Sequence, residues 1–192
     1  MAAVLVTVLI VVGTVGGLVS GRWEGEAIAL DRWAWGREIA YWLITILVTY
    51  ELAAGALWDL LRIEYVKVTL AHLGYPQYLL LILGAWRIPG ALVLLAPRFP
   101  RLKEWAYAGA FFDYSGAAAS HFLAGDRIAA WVFPVIFCGL TLASWALRPK
   151  SRRMPAQGGR PLRVAAWVIP LLTVAAMLVV ALFTLPGGKP SL

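Results

Sequence analysis

The sequence has few charged residues and almost none of the residues that carry common redox or metal chemistry. Only 14% of its 192 residues are charged, and it contains one cysteine and two histidines. A single cysteine cannot form an intrachain disulfide, and two histidines fall short of the three or four protein ligands of a typical zinc site. Glycine-rich phosphate loops, nucleophile elbows and haem-attachment motifs are also missing from the sequence. We therefore expect no metal site and no thiol–disulfide chemistry within one chain.

Hydrophobic residues dominate instead. They make up 61% of the chain, and the mean hydropathy is +0.78. Polar surface this scarce cannot cover a soluble globule, and several apolar runs reach the roughly 20 residues that a helix needs to cross a membrane. The net charge of +7 does not indicate nucleic-acid binding, because the basic residues lie mainly in short loops between apolar runs. The composition predicts an all-α, polytopic membrane helical bundle whose first partner is the lipid bilayer.

Charge and turn signals divide the chain into five segments. They are an N-terminal transmembrane helix (1–20), a tryptophan-rich interfacial linker (21–38), a four-helix membrane core (39–147), a basic loop (148–163) and a C-terminal transmembrane helix with its tail (164–192). The first segment also has the length of a signal peptide, but the basic start of such a peptide is missing. A retained helix also agrees better with the loop charges than a cleaved signal does.

The loop charges predict an orientation as well. Lysine and arginine are concentrated in the loops after the first, third and fifth predicted spans. By the positive-inside rule these loops are cytoplasmic, so both termini are predicted to lie outside the cytoplasm of a cell whose inner membrane holds the protein.

Within the core, apolar runs predict four spans joined by turns rich in glycine, proline and charge. The spans cover residues 39–60, 77–95, 103–123 and 128–147, and a short interfacial helix is expected between residues 61 and 73. Pro134 removes a backbone hydrogen bond from the last span and is expected to bend it.

Three of these spans carry a charged residue near their middle, namely Glu51, Arg87 and Asp113. At about 1.5 Å per residue, each lies near the predicted bilayer midplane. Small residues stand one turn away on the same helical faces, as they do where membrane helices pack closely. Because buried charges need partners and one guanidinium can bind two carboxylates, we expect one cluster inside the bundle. Two interpretations of this cluster agree with the sequence: a ligand-binding or proton-exchanging centre, and a purely structural network.

Ser120 and His121 stand toward the outer end of the span that carries Asp113. A histidine at such a place suits proton relay or a hydrogen bond to a quinone-like carbonyl. A hydrogen bond to a neighbouring loop explains it as well. Ser120 and His121 join the three charges as candidates for a ligand-binding or intramembrane polar cluster, and no catalytic residue is assigned.

Three stretches of the core, HLGYP, LKEWAYAG and SHFLAGD, are specific enough to indicate a family. Together with the spans around them, over residues 39–153, they resemble the DoxX-like family of small bacterial integral membrane proteins. The resemblance implies a four-helix membrane bundle, to which the first and sixth helices of this chain are additions.

The resemblance also implies a range of functions. Founding members of the family resemble the small subunit of a membrane thiosulfate:quinone oxidoreductase, and distant animal relatives are receptor-assembly chaperones. It therefore implies an accessory, quinone- or lipid-headgroup-binding subunit of a membrane oxidoreductase assembly and not an enzyme on its own. A membrane scaffold that binds partner proteins or further copies of itself is the alternative, and a proton-coupled transporter is a third. The family's recurrent polar positions correspond to Arg87, Asp113 and His121, and lysine is common at the first of them.

Overall fold

The computed structural model of the protein describes residues 32–149, 152–153 and 165–185. These residues form six α-helices and no strand: α1 (Arg32–Leu60), α2 (Glu64–His72), α3 (Leu79–Leu95), α4 (Pro100–Leu123), α5 (Ile128–Leu147) and α6 (Ala165–Phe183). The all-α prediction is therefore confirmed for this part of the chain. The helix predicted over residues 1–20 lies outside the described residues.

The helices follow the predicted apolar runs with one clear difference. α5 covers residues 128–147 as expected, and α2 occupies the place of the predicted short helix. α1, however, begins at Arg32, within the segment predicted to be an interfacial linker. The end of that linker contains no proline, and Gly36 alone costs too little to stop a helix that continues into a long apolar run. The helix therefore begins seven residues before the predicted span, and the interfacial linker at residues 21–38 stays a prediction.

Two of the described helices are long and apolar enough to cross a membrane. They are Trp35–Leu60, which is most of α1, and Ile128–Leu147, which is α5. α3 and residues Trp167–Phe183 of α6 are apolar but shorter. Two candidate spans are thus identified by length and composition, and the six-span topology stays a prediction.

α1 is the central helix of the described bundle. It packs against α3, α5 and α6, while α4 packs against α3 and α5. The core where they meet is built of side chains from several helices, including Val48 and Leu52 of α1, Leu94 of α3 and Tyr107 of α4. Close packing of such side chains supplies the van der Waals contacts that hold helices together in a membrane, where no hydrophobic force acts between them.

A buried group of hydroxyls joins three of these helices. Ser144 of α5 lies 2.7 Å from the Thr45 hydroxyl of α1 and 2.8 Å from the Tyr107 hydroxyl of α4. Hydroxyls that bond across apolar helix interfaces have few alternative partners, so they favour one register of the helices.

Two basic side chains cap the carboxyl end of α3, in what we call the α3 clamp (Lys103 and Arg152). Lys103 is fully buried, and its Nζ donates hydrogen bonds to the carbonyl oxygens of Val93 and Leu94. Arg152 donates to the Leu94 carbonyl oxygen at 3.1 Å, and its guanidinium also lies over the Trp42 ring, 4.5 Å from the centroid. Basic side chains suit this position because the last carbonyls of a helix have no backbone partner and carry the negative end of its dipole.

α1 and α3 approach each other closely at Gly84. A Cβ atom at this position would lie 2.7 Å from Leu60 Cγ and 3.1 Å from the backbone oxygen of Ala56. We expect Gly84→Ala to lower the free energy of unfolding by about 1–3 kcal/mol, because the added methyl overpacks the contact. Gly90→Ala, in the same helix but with nothing within 4 Å of its Cβ, is the matched control. Equal denaturation midpoints for the two variants in detergent would contradict the close approach.

Candidate ligand-binding site

Arg87, near the middle of α3, is the centre of a buried polar cluster. Its Nε donates to Asp113 Oδ2 at 2.8 Å and its Nη2 donates to Asp113 Oδ1 at 3.1 Å, so the two side chains form a bidentate pair. Its Nη1 donates to Asp59 Oδ2 at 2.9 Å. The three side chains are 17%, 14% and 5% exposed, in the order Arg87, Asp113, Asp59. Charge-assisted, bidentate bonds of this kind are among the strongest side-chain hydrogen bonds.

Glu51 lies in the same region but is not the second acid bound by Arg87. Its Oε2 accepts a hydrogen bond from the Tyr114 hydroxyl, and it makes no ion pair with any described residue. The structure therefore brings Arg87 and Asp113 together as expected from the sequence. The second acid that Arg87 binds, however, is Asp59 and not Glu51. Asp59 stands two helical turns after Glu51 on the same face of α1, and that spacing was the available signal for it.

Gly55 makes room for the guanidinium. A Cβ atom at Gly55 would lie 2.6 Å from Arg87 Nη1 and 3.6 Å from Glu51 Oε1. Any larger residue would displace the end of Arg87, which is fixed by Asp113 and Asp59. The glycine thus positions the cation between the acids of α1.

A groove of about 510 Å³ opens between α3 and α4 beside this ion pair. Residues from Ile82 to Val93 of α3 and from Leu102 to Asp113 of α4 line it, together with Leu52 of α1. The lining is apolar except at Arg87 and Asp113. This volume and this mixture of apolar walls with a few convergent polar groups are typical of small-molecule sites.

Glycine and tryptophan shape the groove. Nothing lies within 4 Å of a Cβ atom built at Gly90 or at Gly109, so both glycines border open space. Trp86 and Trp105, one from each helix, also line the groove and are 74% and 77% exposed. The groove is therefore open along the outer surface of the bundle, where a molecule dissolved in the bilayer could enter.

Ser120 and His121 belong to a second polar group, at the carboxyl end of α4. His121 Nδ1 lies 2.6 Å from Asp126 Oδ2, and His72 Nε2 lies 2.7 Å from Asp126 Oδ1. The Ser120 hydroxyl lies 2.8 Å from the Tyr75 hydroxyl. The hydrogen bonds from His121 and His72 hold the pKa of the Asp126 carboxyl below its ordinary value. These contacts tie α2 and the turn before α5 to α4.

Neither polar group is suited to hold a metal. Among the described residues, no set of three or more histidine, cysteine, aspartate and glutamate side chains has a metal-binding arrangement. What the Arg87 cluster can do chemically is hydrogen-bond a polar head, balance charge and exchange protons.

The described residues form an all-α bundle, and two of its helices are long and apolar enough to cross a membrane. The family model described as the DoxX-like family matches residues 43–144, more than half of the sequence, and the chain belongs to this family. The resemblance expected from the sequence is thereby confirmed. Comparison with curated proteins gave no match, and comparison with solved structures gave none either.

Proposed function

We propose that this DoxX-like membrane protein binds a membrane-dissolved amphiphile, such as a quinone or a lipid with a compact head, in the groove between α3 and α4. The head lies at Arg87 and Asp113, and the apolar part lies along the groove. The observation that carries the proposal is the position of this ion pair on the wall of an otherwise apolar groove. A guanidinium has five N–H donors, and three of those of Arg87 are used by Asp113 and Asp59, so donors remain for a carbonyl oxygen.

In the proposed role the protein is an accessory subunit of a membrane oxidoreductase assembly. It holds the ligand, and a partner subunit carries the electrons. Its single cysteine, Cys138, cannot form a redox-active pair within the chain, which is consistent with chemistry in the partner.

The proposed topology is multi-pass in the cell inner membrane, with both termini outside the cytoplasm. Residues 39–147 form the membrane core, and a helix over residues 1–20 and a helix with its tail over residues 164–192 are additions to it. The charge asymmetry supports this orientation, because Arg98 and Arg101, between α3 and the first turn of α4, lie at the same end of the bundle as Arg148, Arg152 and Arg153, which follow α5. Cysteine labelling from each side of intact cells, at sites introduced in the loops, tests it.

Filling the groove tests the ligand proposal. Gly109→Leu places a branched side chain in the groove, whereas Gly139→Leu adds the same side chain to α5, where nothing lies within 4 Å of the Cβ. We expect wild type and Gly139→Leu to retain a stoichiometric small molecule after gentle extraction. In Gly109→Leu the occupancy of that molecule should be at least tenfold lower. Native mass spectrometry without lipid stripping measures the occupancy. Equal occupancy in Gly109→Leu would show that the molecule binds elsewhere.

A membrane scaffold is the second candidate function. It is favoured by the observation that Arg87 joins α1, α3 and α4 through Asp59 and Asp113, which a purely structural network would also do. A reproducible partner protein in the same mass spectra, with no small molecule on any variant, would support the scaffold and reject the amphiphile.

A further inference from the structure

The Arg87 cluster contains more negative than positive groups. The titratable and charged side chains that meet there are Glu51 and Asp59 from α1, Arg87 from α3, and Asp113 and Tyr114 from α4. With all three carboxyls ionised, one guanidinium leaves two negative charges unbalanced. Unbalanced charge in apolar surroundings is costly, so protons or a further cation must compensate it.

The guanidinium of Arg87 is already paired with two carboxyls of the cluster. Asp113 takes two of its hydrogen bonds and Asp59 takes a third. An anionic head in the groove would therefore meet an acidic cluster whose cation is already paired. A cationic head would instead meet Asp113 on the groove wall.

The rim of the groove adds a second attraction for a cation. Trp86 and Trp105 both line it and present most of their surface outward. Aromatic faces, and tryptophan above all, attract cations, and they do so more strongly where water is scarce. The excess of acidic groups and the tryptophans at the rim therefore both favour a positively charged ligand.

We propose that the groove takes a lipophilic cation, an amphiphile whose positively charged head lies beside Asp113 and whose chain lies along the apolar walls. This rests on the proposed function, because it assigns a charge class to the occupant of the same groove. It differs from the proposed function in a testable way, since a quinone is uncharged.

Binding of the cation is coupled to release of a proton. Three carboxyls share one guanidinium, and both oxygens of Asp113 accept hydrogen bonds from it, so a neutral cluster with no ligand requires two protons, which we place on Glu51 and Asp59. When one cation binds, neutrality requires only one of these protons. The other dissociates from its carboxyl oxygen to the aqueous phase, which leaves a carboxylate, and one proton is released for each cation bound.

The experiment uses the full-length protein in nanodiscs of zwitterionic lipid. The probes are dodecyltrimethylammonium, whose positive charge is fixed at every pH, dodecanesulfonate, whose negative charge is fixed, and a benzoquinone with a decyl tail. Saturable binding is measured by native mass spectrometry between pH 5 and pH 9. Gly109→Leu supplies the background from partition into lipid, and Asp113→Asn is the variant of the contact residue.

We expect the ammonium probe to bind at least tenfold more tightly than the sulfonate. Its affinity should rise by up to about tenfold per pH unit, as release of one proton requires. Both Asp113→Asn and Gly109→Leu should lower the affinity for the ammonium probe at least tenfold. An affinity independent of pH would overturn the proton exchange.

The failures of the two proposals are distinguishable. If the quinone or the sulfonate binds more tightly than the ammonium probe, and Gly109→Leu removes that binding, the cation inference is wrong while the groove remains a ligand site. If no probe binds saturably to wild type, both proposals fail.

Discussion

Arg87→Ala should lower the free energy of unfolding by about 3–5 kcal/mol, the cost of leaving buried charges without their partner. In the native protein the guanidinium satisfies Asp113 through two hydrogen bonds and Asp59 through one. Without it, both carboxyls must stay unpaired or take up protons. The free energy of unfolding in mixed micelles, followed by intrinsic fluorescence across a denaturant titration, measures the loss.

Two further variants make this result specific. Arg101→Ala removes the same side chain from an exposed position of α4 and should change the free energy of unfolding by less than about 0.5 kcal/mol. Arg87→Lys keeps the charge but loses the planar fork, so its effect should lie between those of the two alanine variants. If Arg87→Ala unfolded at the same denaturant concentration as wild type, the cluster would not stabilise the bundle.

Arg152→Ala should lower the free energy of unfolding by about 3 kcal/mol, the upper end of the range for a hydrogen bond to a charged group. The guanidinium of Arg152 lies 3.1 Å from the Leu94 oxygen, 3.2 Å from the Leu95 oxygen and 3.4 Å from the Ala96 oxygen. Its loss would leave carbonyls at the end of α3 without partners and would remove the cation from the Trp42 ring. Thermal denaturation in detergent measures the change.

Arg152→Lys is the matched control for the α3 clamp. Lysine keeps the positive charge near the end of the helix dipole but cannot span several carbonyls with a fixed fork. We expect it to recover less than half of the loss. A full recovery would mean that charge alone, and not the geometry of the guanidinium, stabilises this helix end.

The helices were predictable because apolar runs and turn residues are local signals. Proline, glycine and charge at the turns fix the ends of α3 and α5, so their bounds follow from the sequence. The start of α1 was missed because tryptophan and charge were interpreted as an interface, although nothing between Arg32 and Glu38 stops a helix. The number of membrane crossings is not a local property, and only two described helices have the required length and composition.

The site was predictable in part. Arg87 and Asp113 were brought together by the rule that charges within apolar helices seek partners. Asp59 was missed because it stands at the end of a predicted span, where a charged side chain can reach the membrane interface and needs no buried partner. The groove depends on the distance between α3 and α4, which no periodicity in either helix specifies. The basic side chains of the α3 clamp were interpreted as loop charges that set orientation, yet both bind backbone carbonyls.

The order of the helices along the chain bears on biogenesis. The ribosome releases α1 before α3, so Glu51 and Asp59 leave the exit tunnel before Arg87 does. During that interval two acids of an apolar helix have no cation, and carrying protons is the least costly state for them in a lipid environment. Arrival of α3 supplies the guanidinium, which fits beside Gly55 only when both helices are in register. Membrane insertion of α1 alone should therefore be less efficient than insertion of a chain that extends through α3.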